Sequence, residues 1–154
     1  MTVPIGAWVC ALVFDIASHV VDRPGFLSQG AEWLIAIGAL GALAAAMVGF
    51  LDLFAIPTGT PSFRTGLLHM SLNLTVTAAY VGNFFWRHAS YTNGEPVPGG
   101  QLALSAFSLA LLGVSGYLGG KLAYRYGVRV ADERTQAAGY TRRQRAATAT
   151  PTRR

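Results

Sequence analysis

Two pairs of residues spaced four apart place titratable and amide groups on single helix faces: Asp15 with His19, and His69 with Asn73. A carboxylate beside an imidazole can pass a proton. An imidazole inside a helix can also hold haem iron, and an amide can orient that imidazole or tie two helices together. Asp52 and Lys121 add a further carboxylate and ammonium. All of these lie within or at the edges of long apolar stretches. A charge at mid-bilayer costs about 2.5 kcal/mol or more, so such groups are expected to face a protein interior and to be paired. Depth alone predicts Asp52, His69 and Lys121 in one polar cluster near one membrane face. It puts Asp15 near mid-bilayer, where it could approach Asn73. Each residue also has a structural reading: an Asp52–Lys121 ion pair, a Lys121 that snorkels, an Asn73 that joins helices, a His19 that meets water and Asp22. His88 is expected in solvent.

Nothing resembles a nucleophile with its base and orienter, and there is no glycine-rich phosphate loop. No catalytic residue is assigned, and the sequence favours a protein that is not an enzyme. The single cysteine, Cys10, precludes an internal disulfide and a multi-cysteine metal centre, and no metal ligands are assigned.

The elements that must position these residues are four apolar segments: residues 4–21, 31–56, 66–86 and 102–124. A spanning helix needs about 20 mostly apolar residues at about 1.5 Å each. Apolar residues make up 52 % of the 154 and charged residues 12 %, about half the charged share of a soluble domain. The expected fold is all-α, a four-transmembrane-helix bundle over residues 1–130, with a disordered basic tail over 131–154. The first segment lacks a basic start and a small-x-small cleavage site, so it is expected to be retained.

Charge predicts the orientation. Lys121, Arg125, Arg129, Arg134 and the arginines of the tail gather at or beyond the end of the fourth segment, and Arg64 lies at the second connection. Only Arg23 and Arg87 fall on the opposite side. The positive-inside rule then places both termini in the cytoplasm, in a multi-pass protein of the bacterial inner membrane. Trp33, Trp86 and Tyr91 are expected at the outer interface, Tyr124 and Tyr126 at the inner one. The tail's arginines suit anionic lipid headgroups. They lack interleaved aromatics, so no nucleic-acid partner is expected.

Lipid provides no hydrophobic drive for helix association, so small residues should mark the seams. The second segment carries Gly38, Ala42, Ala45 and Gly49, a stripe that continues to Asp52. The fourth carries Ser105, Ser108, Ser115, Gly116 and Gly119.

Three stretches carry a family likeness: Pro4-Ile5-Gly6-Ala7-Trp8 with Ala11-Leu12-Val13-Phe14-Asp15; Gly66-Leu67-Leu68-His69-Met70-Ser71-Leu72-Asn73-Leu74; and residues 115–130, from Ser115-Gly116-Tyr117 to Val130. Gly49-Phe50-Leu51-Asp52 also fits. The chain resembles, over residues 4–130, a bacterial family of small four-helix membrane proteins, a domain of unknown function. The resemblance implies the fold. Because relatives are often fused to or encoded beside Rieske-type or cytochrome domains, it also implies a redox-associated setting, with haem b between helices as one expectation. His69 would be the first ligand and His19 the second. Family members usually have histidine-proline before the first-helix proline, and often histidine where this chain has Lys121. The first departure means either a lost ligand or a start upstream of Met1.

Three functional readings compete. The favoured one is a non-enzymatic structural or assembly subunit associated with membrane redox complexes, with a Rieske or cytochrome-type partner. The second is a haem b-binding electron-transfer protein. The third is a proton or small-solute pathway using Asp15, His19, Asp52 and His69. Histidines expected near opposite membrane faces argue against one shared iron.

Overall fold

The computed structural model describes residues 2–90 and 94–130. Among them are four α-helices: α1 (Thr2–Ala17), α2 (Gly25–Phe54), α3 (Pro61–Ser90) and α4 (Gly99–Gly120). A π-helical turn, Lys121–Arg125, continues α4. Prolines mark the starts. Pro61 occupies the first position of α3, where its missing N–H costs nothing, and the Thr60 hydroxyl caps the turn by accepting from the Phe63 N–H at 3.2 Å. Pro24 and Pro98 precede α2 and α4. Gly59 takes the left-handed conformation (φ 81°) that the α2–α3 turn requires. Gly127 (φ 65°) closes the π turn, its N–H and that of Val128 reaching the carbonyls of Ala123 and Leu122.

Neighbouring helices run antiparallel. Along α1 and α2, Phe14 faces Gly30, Trp8 faces Gly38, and Val3 and Pro4 face Gly41. Along α3 and α4, Asn83 meets Gln101, Tyr80 meets Ser105, and His69 meets Ser115. α2 packs on α3, and α1 also touches α4. α1 and α3, the diagonal pair, run parallel: Trp8 stacks on Tyr80 with ring centroids 4.1 Å apart, and Asp15 meets Arg87.

The apolar segments foretold four helices, and four are present; their limits differ. α2 and α3 start six and five residues before the apolar windows at 31 and 66, because the backbone hydrogen-bond ladder extends through the polar residues that precede each apolar run. The first helix stops at Ala17, earlier than the apolar window to 21. There the Ser18 hydroxyl donates to the Asp15 carbonyl and accepts from the Val97 N–H, which holds the chain in a turn. The expected tail, residues 131–154, and Tyr91 lie outside the described residues.

The distribution of polarity is inverted relative to a water-soluble protein. Asp15, Asn83, Arg87, Ser105 and Ser115 are buried, while Ile16, Leu40, Met47, Phe54, Leu74, Phe85, Phe107 and Val114 are exposed. Large apolar residues face outward from every helix, which would be a severe aggregation liability in water. Two helices, α2 and α4 with its π turn, are long and apolar enough to cross a membrane by composition alone. α1 has 16 residues. α3 is less apolar, but its hydroxyls are internally satisfied. Ser71, Thr75 and Thr77 donate to the carbonyls of Leu67, Ser71 and Asn73, each four residues back, at 2.8–2.9 Å.

The small-residue stripe of α2 packs along half its length. A Cβ on Gly38 would collide with the Trp8 indole, whose N–H donates to the Ile35 carbonyl at 3.2 Å. Ala42 is buried. Gly49 has no atom within 4 Å of where a Cβ would stand. The reason is geometric: α1 accompanies α2 only as far as Gly41, about 20 Å short of Phe54 at 1.5 Å per residue. On α4, Ser105, Ser108 and Ser115 are buried as the stripe predicts, and Gly119 lies against His69; Gly116 points outward.

Candidate functional site

Two polar centres sit at opposite ends of the helices. At the first, Arg87 on α3 reaches across to Asp15 on α1. The guanidinium fork grips both carboxylate oxygens: Nη1 donates to Oδ1 and Nη2 to Oδ2, each at 2.7 Å. Nε donates to Asn83 Oδ1 at 3.2 Å, and Nη2 also to Ser105 Oγ at 3.1 Å. Asn83 in turn donates to Ser105 Oγ and to the Gln101 carbonyl. Tyr80 OH donates to the Ser105 carbonyl, and Gln101 Nε2 to Ser90 Oγ. The network joins α1, α3 and α4, and both charges are removed from solvent (Asp15 0 %, Arg87 4 % exposed). A buried pair survives only with such bidentate geometry and further hydrogen bonds. Beside it, His88 Nδ1 lies 3.0 Å from the Oε1 of the buried Glu32.

This arrangement corrects several expectations. Asp15 is in the last turn of α1, and its partner is Arg87 rather than Asn73. His19 does not share a helix face with it; the helix has ended, and His19 is exposed in the following turn. His88, expected in solvent, is exposed but tied to Glu32.

The second centre lies between α2, α3, α4 and the π turn. Asp52 Oδ1 accepts from Arg129 Nε at 2.9 Å and Nη2 at 2.5 Å. Its partner is therefore Arg129, not Lys121. The Lys121 Nζ stands 5.9 Å above the Tyr126 ring. Arg129 itself has a positive φ of 61°, unusual for a side-chain-bearing residue. His69 and Asn73 line the same cavity as Asp52, a space of about 220 Å³. Asp52 and His69 line one hollow without a direct bond between them, and Lys121 is not part of its lining.

The state of His69 follows from its neighbours. Nδ1 is 2.8 Å from the Ser115 carbonyl oxygen, which can only accept. Nδ1 must carry the proton, leaving Nε2 as an acceptor. Nε2 then receives the Asn73 amide at 3.1 Å, and the second amide hydrogen goes to the His69 carbonyl at 2.8 Å. Asn73 thus bonds within its own helix and does not join helices. Haem b between His69 and His19 does not fit this arrangement. Both His69 ring nitrogens are engaged. His19 lies beyond the Asp15–Arg87 level, which is about 27 Å along α3 from His69. Between the two centres the interior is filled by the Trp8–Tyr80 stack with Ile35, Val76 and Leu112.

A family model for a predicted membrane protein (DUF2231) matches residues 1–132. The chain belongs to the DUF2231 family. No curated protein and no solved structure matches it. Family membership agrees with the inverted polarity and the two apolar spans.

In this DUF2231 chain, sequence reasoning missed the residues that complete each centre. Tyr80, Asn83 and Arg87 fall on one helix face at spacings of three and four, the same pattern that singled out His69 and Asn73. Arg87 was read only as a flanking charge. Arg129 could be found only from the fold, because the π turn and Gly127 bring the chain back toward α2.

Proposed function

We propose that this is a non-enzymatic membrane subunit whose four helices all cross the bilayer, with both termini in the cytoplasm, and which serves a membrane redox complex as a structural or assembly component. The observation that carries the spanning reading is the inverted polarity: charged groups locked inside, large apolar side chains outward on every helix. Backbone and side-chain donors must be satisfied internally within hydrocarbon, and the back-bonded hydroxyls of α3 meet that demand despite its modest apolarity. Orientation rests on Arg64, Lys121, Arg125 and Arg129 clustering at the Asp52 end. The redox setting rests on the resemblance to relatives fused to or encoded beside Rieske and cytochrome domains. The assembly role fits centres that look built to hold helices in place.

Topology is tested with a membrane-impermeant maleimide on spheroplasts, using Thr58→Cys and Glu95→Cys in a Cys10→Ser background. Labelling of position 95 but not 58 in intact spheroplasts is expected, with both labelled after lysis. Labelling of 58 in intact spheroplasts would overturn the orientation. The assembly role is tested by gentle detergent extraction: co-purification of a cytochrome or Rieske subunit supports it, and a lone stable monomer counts against it.

A further inference from the structure

The hollow at the Asp52 end is a place where packing is expected and does not occur. Its α2 wall is made of Ala45, Ala46 and Gly49, small residues that would suit a close helix neighbour. No atom comes within 4 Å of a Cβ at Gly49. The opposite wall is formed by His69, Asn73 and the π turn, a distortion of helices that often accompanies function. The volume is about 220 Å³. An apolar cavity of about 150 Å³ accepts benzene, so this one suits a bicyclic ring.

Three features define what could enter. The charge of Asp52 is matched by that of Arg129, so the site favours a neutral molecule. The walls are mainly apolar, so the body should be apolar. The polar atoms left over include two acceptors, beside the Arg129 Nη1 donor. The protonated Nδ1 of His69 makes Nε2 an acceptor, which orients the Asn73 amide with its nitrogen toward the ring. Reversing that amide would set two acceptors face to face. Asn73 Oδ1 is therefore fixed on the other side. It accepts no hydrogen bond among the described residues, although Asn73 is 8 % exposed. Asp52 Oδ2 is likewise unpaired, since both Arg129 bonds go to Oδ1. A ligand hydroxyl would supply either acceptor with the donor it lacks.

We propose that this hollow binds a neutral, ring-sized amphiphile with an O–H donor, of the phenol or hydroquinone class, whose hydroxyl reaches Asn73 Oδ1 or Asp52 Oδ2. A lipid acyl chain could fill the space but has no donor, and this separates the two occupants. The inference is independent of which complex the protein joins.

The test is equilibrium dialysis of the full chain in phosphatidylcholine nanodiscs against radiolabelled 1-naphthol, with empty nanodiscs subtracted. The methyl ether, 1-methoxynaphthalene, serves as a probe of the same shape without the donor. Saturable binding at one site per chain is expected, about tenfold weaker for the ether because one hydrogen bond is lost. Gly49→Leu, which has open space to enter, should abolish the saturable component while leaving the melting temperature in place. Uptake that never saturates would overturn the proposal. So would equal binding of naphthol and ether in the wild-type chain, an outcome that assigns the hollow to acyl chains and needs no variant to fold.

Discussion

Each end of these helices holds an arginine against an aspartate, and the settings are opposite. Asp15 and Arg87 meet almost wholly out of solvent, with the guanidinium held further by Asn83 and Ser105. Asp52 and Arg129 meet beyond the reach of α1, with side chains 28 % and 71 % exposed and a cavity alongside. The chemistry of the pair is the same, so the surroundings decide what each does. Enclosed, the pair is costly to form and costly to break, and it fixes which helices face each other. Half-open, it holds a chain segment near α2 and leaves room for something else.

The sharpest way to break the comparison is to remove one partner at the closed end. Arg87→Met leaves the Asp15 carboxylate buried without a cation, and a loss of about 3–5 kcal/mol is expected. Asp15→Leu should cost a similar amount. The double variant Asp15→Leu/Arg87→Met should be less destabilised than either single, because no charge is then stranded. Unfolding in mixed micelles by titration with a denaturing detergent reads all three. Additive losses in the double variant would mean that the pair is not the coupled unit the geometry describes.

Next in size is the contrast between the two halves of the α2 stripe. Gly38→Leu drives a side chain into the Trp8 indole and disturbs its stack on Tyr80. Overpacking of this kind costs about 1–3 kcal/mol. Gly49→Ala meets open space and should change stability by no more than about 0.5 kcal/mol. The same denaturing-detergent titration measures both. Equal losses at the two glycines would show that the stripe packs along its whole length, and the distinction between the ends would fall.

How legible all this was in the sequence depends on the range of the interaction involved. The four helices could be read from runs of apolar residues, and the serine stripe of α4 from its spacing, because both are local signals. The family could be read from short motifs at His69 and in residues 115–130. The extent of α1 could not, since Val20 and Val21 are as apolar as the residues before them; the turn is set by Ser18 bonding to Val97, 79 positions away. Pairings were harder still. Depth along the chain could not say that Asp15 lies beside Arg87, because the two are 72 residues apart and no local spacing links one to the other. Arg129 escaped because a π turn and a left-handed glycine reverse the chain there, and neither leaves a periodic trace.

The smallest expected effect sharpens the open end. Depth pointed to Lys121 as the partner of Asp52, and the structure gives Arg129. Asp52→Asn keeps the shape and one acceptor oxygen but removes the charge. An exposed ion pair contributes about 0.2–1 kcal/mol, and solvent screening at Arg129 argues for the lower part of that range. Arg129→Gln should match it, whereas Lys121→Gln should leave stability unchanged, since Lys121 faces the Tyr126 ring. Raising the salt concentration should shrink the effect of Asp52→Asn, because a half-open pair is screened, and should leave the cost of Arg87→Met nearly constant. A Lys121→Gln variant that loses as much as Asp52→Asn, while Arg129→Gln loses nothing, would return the pairing to Lys121. It would also remove Arg129 from the wall of the hollow, and with it the charge balance that makes the site suited to a neutral molecule.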